Sequence, residues 1–490
     1  MATSIINILR KGGPTLSSVI VKKLVEDGFT PQAARKRVSR EVGKVVRILQ
    51  GIKFPNRESF LFLEDQFGKE EFRDNLVSAL KISGSSYGRA LSGLAARSGA
   101  VTACHFPIAS GLPVENAKGQ ILNSLAEDRL SRLGLIHRTA TTEGDVIGLH
   151  NQPLLSKRRR AAIAVEDVVL GVMKTWMANL GWSSSKALAI RSQNETAKFG
   201  QFRFDLVGPC YLSSVLNYKQ GKLLNGFVVG DILLDKNVAL EDLVPFFGKC
   251  DTLLHQKRST RFQPVFIADF FEADALQELR KRGCLLAMPR TVFGEDASMQ
   301  LRQLISTVAN AAEAVATNPD SVFELIAKVG KLEGAALNLR SIVIEMFVAH
   351  LLKLDGFQID IRQQVVADDG MRAEIDVLAT RRPERIFVEC KGNSPDTLVD
   401  AAEIQDWLDR IVPRIKSWFN GVTSHDEKAR FEFYTSTEYT SDAKELIGRI
   451  QTTHKKQPIN FYCGAEILKK MHDKRETALV KMFREQFTSK

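Results

Sequence analysis

The residues best placed to do chemistry lie near the C-terminal end, in the segments RAEIDVLA (372–379) and IFVECKG (386–392). Read as strands they alternate. Glu374 and Asp376 share one face and Ile375 and Val377 the other, while Glu389 and Lys391 share a face opposite Val388 and Cys390. Adjacent strands with Asp376 facing Glu389 would gather oxygen ligands around a hard cation such as Mg2+, which retains waters that can act as nucleophile. The Cys390 carbonyl could add a further oxygen. Lys391 could orient or help deprotonate such a water, or offset charge building on a phosphoryl oxygen. A phosphodiester is a substrate that needs all of these features. An isolated E-x-K, short and common, reads more readily as an edge strand with solvated charges. Here the triplet follows an apolar run, ends a strand and comes one hairpin after an aspartate, and that context favours a metal site.

Elements on either side must position these residues. The helical pattern LRSIVIEMFVAHLLKLDGF (339–357) leads into IDIRQQVVADDG, and after the motif strands come a further strand and helix, RFEFYTSTEYTSDAKELIGRI, then INFYCG. The middle of the chain echoes this order. AAIAVEDVVLGVMKTWMANLGW is followed by QFRFDLVG, by GFVVGDILL (226–234), by PVFIADFFEADALQELRKRG and by LLAMP. Helix, hairpin, strand, helix and strand imply a mixed sheet layered by helices, hence an α/β fold. Matching the Asp-containing strands pairs Asp205 with Asp376. Matching the next strands by their Phe-Val puts Val229 opposite Glu389 and Asp231 opposite Lys391, so the middle copy reads as degenerate, lacking acid and lysine. Its expected role is DNA or partner binding, or a structural half.

The segment GMRAEIDVLATRRPERIFVECKG resembles the core of the PD-(D/E)xK nuclease superfamily, the restriction-endonuclease-like fold, in its Mrr-like form. Within that resemblance Asp376 matches the first motif's aspartate, preceded by Ile375 where the pattern has proline, and Glu389 and Lys391 match the (D/E)-x-K element. The resemblance further implies an acid on the helix before the sheet, for which Glu345 is the candidate, and a glutamine on the helix after the lysine, for which Gln405 in AAEIQDWLDR is the candidate. Glu345 reads equally as a helix-surface acid. The implied activity is a Mg2+-dependent deoxyribonuclease, with Mn2+ able to substitute. It would be an endonuclease hydrolysing DNA through metal-activated water, in prokaryotic restriction or phage defence. The implied metal ligands are Asp376, Glu389 and Cys390. The resemblance covers residues 340–470, extends to 160–295 in outline only, and does not reach the N-terminal third. It separates neither DNA from RNA nor endo- from exonuclease action. The competing reading is a non-catalytic DNA-binding or protein-interaction component of a defence or repair complex.

With 490 residues, the chain should form several units. Residues 1–68 and 69–152 read as winged-helix-like domains, 160–297 as the degenerate nuclease-like domain, 298–339 as a helical connector broken at Asn318-Pro319, and 340–475 as the nuclease domain. In the first unit Thr15–Leu24 reads as a helix. Thr30 and Pro31 should start another, PQAARKRVSREVGKVV, whose Arg35, Lys36, Arg37 and Arg40 could contact DNA or form a solvated face. In the second unit, the stretch VENAKGQILNSLAEDRLSRLGLIHR reads as one helix. The run Lys157–Arg160 reads as a charged linker. A net charge of +11 leans toward a polyanionic partner once its basic residues fall on such elements. Six cysteines (Cys104, Cys210, Cys250, Cys284, Cys390 and Cys463) show neither metal-ligand nor disulfide spacing. No apolar stretch reaches the length of a membrane span and no secretory leader is evident, so a cytoplasmic setting is expected. Without a GxxxxGK[ST] phosphate loop, any ATP-driven step would need a separate ATPase or other protein partner. Double-strand cutting would suit a homodimer.

Overall fold

The computed structural model of the chain describes residues 4–115, 120–141, 144–191, 197–219, 222–256, 260–317, 319–330, 336–368, 370–422, 427–453 and 458–487. The first unit runs α1 (Ile5–Gly12), β1 (Thr15–Leu16), α2 (Ser17–Glu26), α3 (Pro31–Glu41), β2 (Val46–Ile48) and β3 (Phe60–Leu63), with sheet order β1-β3-β2. Thr30 caps α3 as its sequence requires, its Oγ1 accepting the Ala33 N–H at 3.3 Å, with Pro31 at the first helical position. The helix buries Ala34 and Val38 and leaves Arg35, Lys36 and Arg40 exposed, while Arg37 stacks 4.9 Å over Phe29. Two boundaries differ from the sequence reading. Thr15 and Leu16 are a strand because they pair with Leu61 and Phe60, and α3 stops at Glu41 because the chain must turn to make β2.

The second unit repeats the plan after one extra helix: α4 (Glu70–Ile82), α5 (Ser86–Ala96), β4 (Ala100–Thr102), α6 (Phe106–Ser110), α7 (Asn123–Arg132), β5 (Ile136–Thr141) and β6 (Gly144–Leu149), with sheet order β4-β6-β5. Of the stretch from residue 114 expected as one helix, the described residues form a helix at α7. Residues 116–119 lie outside the described residues, and Gly134, at φ 64, turns Leu135 and Ile136 into the β5 strand.

The basic run 157–160 is not a linker. Ser156 caps α8 (Lys157–Asn179) by accepting the Arg159 N–H at 3.1 Å, and the run forms the helix's first turn, with Arg159 and Arg160 buried in ion pairs. A charge run is normally solvated. These partners, distant in sequence, are what bring it inside. The third unit continues with β7 (Ala189–Ile190), β8 (Ala197–Phe199), β9 (Phe202–Phe204), β10 (Leu206–Cys210), β11 (Asn217–Lys219), β12 (Lys222–Leu224), β13 (Gly226–Val238), α9 (Val244–Leu254), β14 (Phe262–Phe271), α10 (Ala273–Lys281) and β15 (Leu285–Ala287).

Helices α11 (Pro289–Phe293), α12 (Glu295–Ala309), α13 (Ala311–Thr317) and α14 (Pro319–Gly330) follow, the expected break falling at residue 318, outside the described residues. The fourth unit comprises α15 (Ala336–Leu354), β16 (Gln358–Val366), β17 (Arg372–Arg381), β18 (Glu384–Lys391), α16 (Ala401–Asp406), α17 (Val412–Val422), β19 (Lys428–Thr435), α18 (Ser441–Thr453), β20 (Ile459–Tyr462), α19 (Gly464–Asp473) and α20 (Thr477–Phe487).

The chain is an α/β protein in which, among the described residues, two five-stranded mixed sheets share one topology. The orders are β7-β10-β13-β14-β15 and β16-β17-β18-β19-β20, each antiparallel across its first three strands and parallel across its last three. One apolar core runs through both, from Val165 and Met173 on α8, through Leu304 on α12, to Phe347 on α15 and Phe483 on α20. Among the described residues no helix is long and apolar enough to cross a membrane.

Candidate active site

Strands β17 and β18 pair from Arg381↔Glu384 up to Val377↔Val388, and there the ladder ends. Beyond it the strands part as a fork, and the Asp376 side chain bridges the gap, its Oδ2 accepting the Cys390 backbone N–H at 2.7 Å. Strict alternation fails at this point. Ile375 packs in the core beneath α17, whereas Val377 packs in the core shared with α15, so the two do not share a face as the sequence suggested. The break turns the Asp376 carboxylate toward the motif strand.

Glu389 is buried, and Lys391 Nζ donates to its Oε1 at 2.8 Å. Burial, and then the negative charges of Glu389 and Glu345, push the Asp376 carboxyl well above the usual carboxylate range, against Lys391 and the Cys390 N–H. Burial works to strip Lys391 of its proton, but Glu389, with help from Asp376 and Glu403, outweighs it and holds the ammonium above its ordinary value. The Cys390 thiol is pushed well up, by burial first and then by Asp376, Glu345 and Glu389, which leaves it protonated and no nucleophile. None of the six cysteines is in a disulfide.

Glu345 on α15 is buried in this neighbourhood and not a helix-surface acid. It is held in a two-point ion pair by Arg362, whose Nε and Nη2 donate at 2.8 and 3.0 Å. Arg362 stands in β16 between the pairs Ile361↔Val377 and Gln363↔Ile375, opposite Asp376, in a left-handed conformation at φ 54. Sequence reasoning passed over it because nothing local marks a strand arginine as a helix acid's partner. Gln405 is not drawn in. It is exposed and donates to both Asp409 oxygens at 2.9 Å, one turn along. The residue of that helix whose charge reaches Lys391 is Glu403, its carboxyl raised by burial and eased by Lys391. Glu374 turns away to Arg160 of α8, which donates to its Oε2 at 2.7 Å. Among the described residues no three His, Cys, Asp or Glu side chains form a ready-made metal cage. Asp376 and Glu389 supply two carboxylates, and Arg362 already holds the third, Glu345.

The strand register corrects the reading of the middle copy. Asp205 Oδ2 accepts the Ile232 N–H at 2.9 Å, as Asp376 accepts that of Cys390. Leu206 pairs with Gly230 as Val377 pairs with Val388, which sets Asp231 at the place of Glu389, Ile232 at Cys390 and Leu233 at Lys391. The middle copy therefore keeps both acids and loses only the lysine. Aligning on Phe-Val had slipped the strand by two residues. The likeness goes further: Glu166 is the tenth residue of α8 as Glu345 is of α15. Arg191 lies opposite Asp205 and donates to Glu166 at 2.7 Å, as Arg362 lies opposite Asp376 and holds Glu345.

No protein-family model matches this chain. No curated protein matches it either. Among solved structures it is similar to a crystallised protein of unknown function, AF1548, at a TM-score of 0.20 and 18% identity, over 30% of this chain and 90% of that one. It is also similar to the restriction endonuclease FokI, at a TM-score of 0.22 and 11% identity, over 94% of this chain and 83% of that one. Likenesses this slight leave the residues of the two forks to carry the functional argument.

Proposed function

We propose that this chain is a Mg2+-dependent deoxyribonuclease that cuts within DNA, with its working centre at the β17–β18 fork. The observation that carries the reading is the arrangement at the fork, where Asp376 accepts the Cys390 N–H, Glu389 holds the Lys391 ammonium, and the charges of Glu389 and Glu345 act on Asp376. A carboxyl such as Asp376, raised by burial and by its neighbours' charges, is what a divalent cation relieves, and an oxygen donor set of two acids and a carbonyl suits Mg2+. Asp376, Glu389 and the Cys390 carbonyl would hold the ion. When bound, it supplies charge neutralisation at the phosphate and lowers the pKa of water.

The chain's own residues do the rest. Lys391, paired with Glu389, is placed to donate to a phosphoryl oxygen as charge develops there. Arg362 holds Glu345 in a two-point ion pair, which leaves Asp376 and Glu389 as the acids that would hold the ion. The exposed Arg35, Lys36 and Arg40 of α3, with Arg37, offer phosphate contacts that bring the duplex to the chain. Prokaryotic restriction or phage defence is the setting we propose.

The test is incubation of supercoiled, linear and single-stranded DNA, and RNA, with Mg2+ or Mn2+. Asp376→Asn and Lys391→Ala are each expected to lower cutting by about 10²-fold or more while the fold and DNA affinity persist. Nicking of closed circles establishes endonuclease action. Cutting that survives both substitutions sinks the assignment. A folded wild-type chain that cuts nothing points to a DNA- or partner-binding role.

A further inference from the structure

The centre of the third unit has the acids of a nuclease fork but is closed. Asp205, Asp231 and Glu166 are each 2% exposed or less, whereas the Lys391 side chain in the fourth unit is 37% exposed. Positive side chains fill it. Arg191 donates to Asp205 at 2.9 Å and to Glu166 at 2.7 Å, Arg159 makes a two-point pair with Glu166 at 2.8 and 3.1 Å, and Lys249 from α9 donates to Asp231 at 2.5 Å. The remaining cation comes from another unit. Arg97, the residue that ends α5 of the second unit, is 4% exposed and places Nη2 3.8 Å from Asp205 Oδ2.

The contact around Arg97 is built for close approach. Ala96, beside it, belongs to the third unit's apolar core with Phe246 and Leu253. At Gly111 (φ 62) a Cβ would fall 2.4 Å from the Pro245 carbonyl oxygen. Val114 N–H donates to the Gln201 carbonyl at 2.9 Å, and Gln120 donates to Thr252 at 2.9 Å.

We propose that the third unit's acidic centre is an arginine socket: a nuclease-type fork whose cations are the guanidinium groups on Asp205 and Glu166 and the Lys249 ammonium on Asp231, and which fixes the second unit to the third through Arg97. The socket does not hydrolyse and takes no metal. It holds the N-terminal units in one orientation relative to the fourth unit. A buried guanidinium aimed at a buried carboxylate is directional, and losing one partner leaves the other stranded in low dielectric, so the joint is either closed or open. This inference does not depend on nuclease activity at the β17–β18 fork.

Amide hydrogen exchange on the full-length chain tests it, comparing wild type with Arg97→Met and Arg97→Lys. Arg97→Met should speed exchange about tenfold or more in the facing helices α5 and α9, with β19 and β20 of the fourth unit unchanged, and Arg97→Lys should stay near wild type. Unchanged exchange at α5 and α9, or equal acceleration throughout the chain including global unfolding, overturns the proposal. Adding Mn2+ to wild type should leave protection in α8 and β13 as it was. New protection there that disappears in Asp205→Asn would show a metal in the socket and overturn it as well.

Discussion

Side chain by side chain, the two forks show one set of positions put to two uses. In the fourth unit the acids face a lysine that reaches solvent. In the third, Asp205 and Glu166 face guanidinium groups and Asp231 faces the fully buried Lys249 ammonium. The difference should be measurable through Glu166. Burial alone would raise its carboxyl, but Arg159 and Arg191 more than offset that and hold it at about 2, against an ordinary 4.5. A depressed carboxyl contributes stability that is present above the unfolded value. That stability is lost as pH falls from about 4.5 through about 2, and over this window it amounts to roughly 3 kcal/mol. Acid titration of thermal unfolding should therefore show wild type and Glu166→Gln far apart at neutral pH and converging toward pH 2. Parallel curves would mean that Glu166 is not held by its arginines.

At the level of strands and helices, the end of β18 matters as much as its charges. Gly392, directly after Lys391, packs so closely on the start of α15 that an added Cβ would fall 2.4 Å from the Arg340 carbonyl oxygen. Gly392→Ala must push the motif strand off the helix that carries Glu345. A loss of about 1–3 kcal/mol in stability is expected, with a larger fall in cutting than in melting temperature accounts for. Denaturant unfolding beside single-turnover cleavage separates the two effects.

Much of this element structure was legible in the sequence. The Thr30-Pro31 helix start, the Asp376 strand and the Glu389-x-Lys391 strand declare themselves through caps and short-range alternation. Other features depend on partners far along the chain, which local patterns do not carry. Arg160 reads as a solvated linker residue until Glu374, 214 residues on, is beside it. Asp231 slipped two places because Phe-Val recurs in strands, while the hydrogen bond that sets its register comes from the Asp205 side chain. Gln405 was an expectation brought by resemblance alone, and the helix turns it outward.

For the whole molecule, the sharing of one apolar core between the third and fourth units sets how it can come apart. Helices α8 and α15 pack on one another, and Arg160 reaches across from one to the strand of the other. A chain cut down to residues 336–490 would expose that apolar face and should lack a cooperative melt by near-UV circular dichroism. Residues 156–490 should keep one transition. The second unit, fixed at Arg97, also touches the fourth directly, β5 lying against β17, the strand of Asp376. A duplex held by the N-terminal units would then meet the fork at a set number of base pairs from where it is gripped. The protein would work as a ruler, with cut positions at a constant offset that does not scatter with the length or slack of any tether.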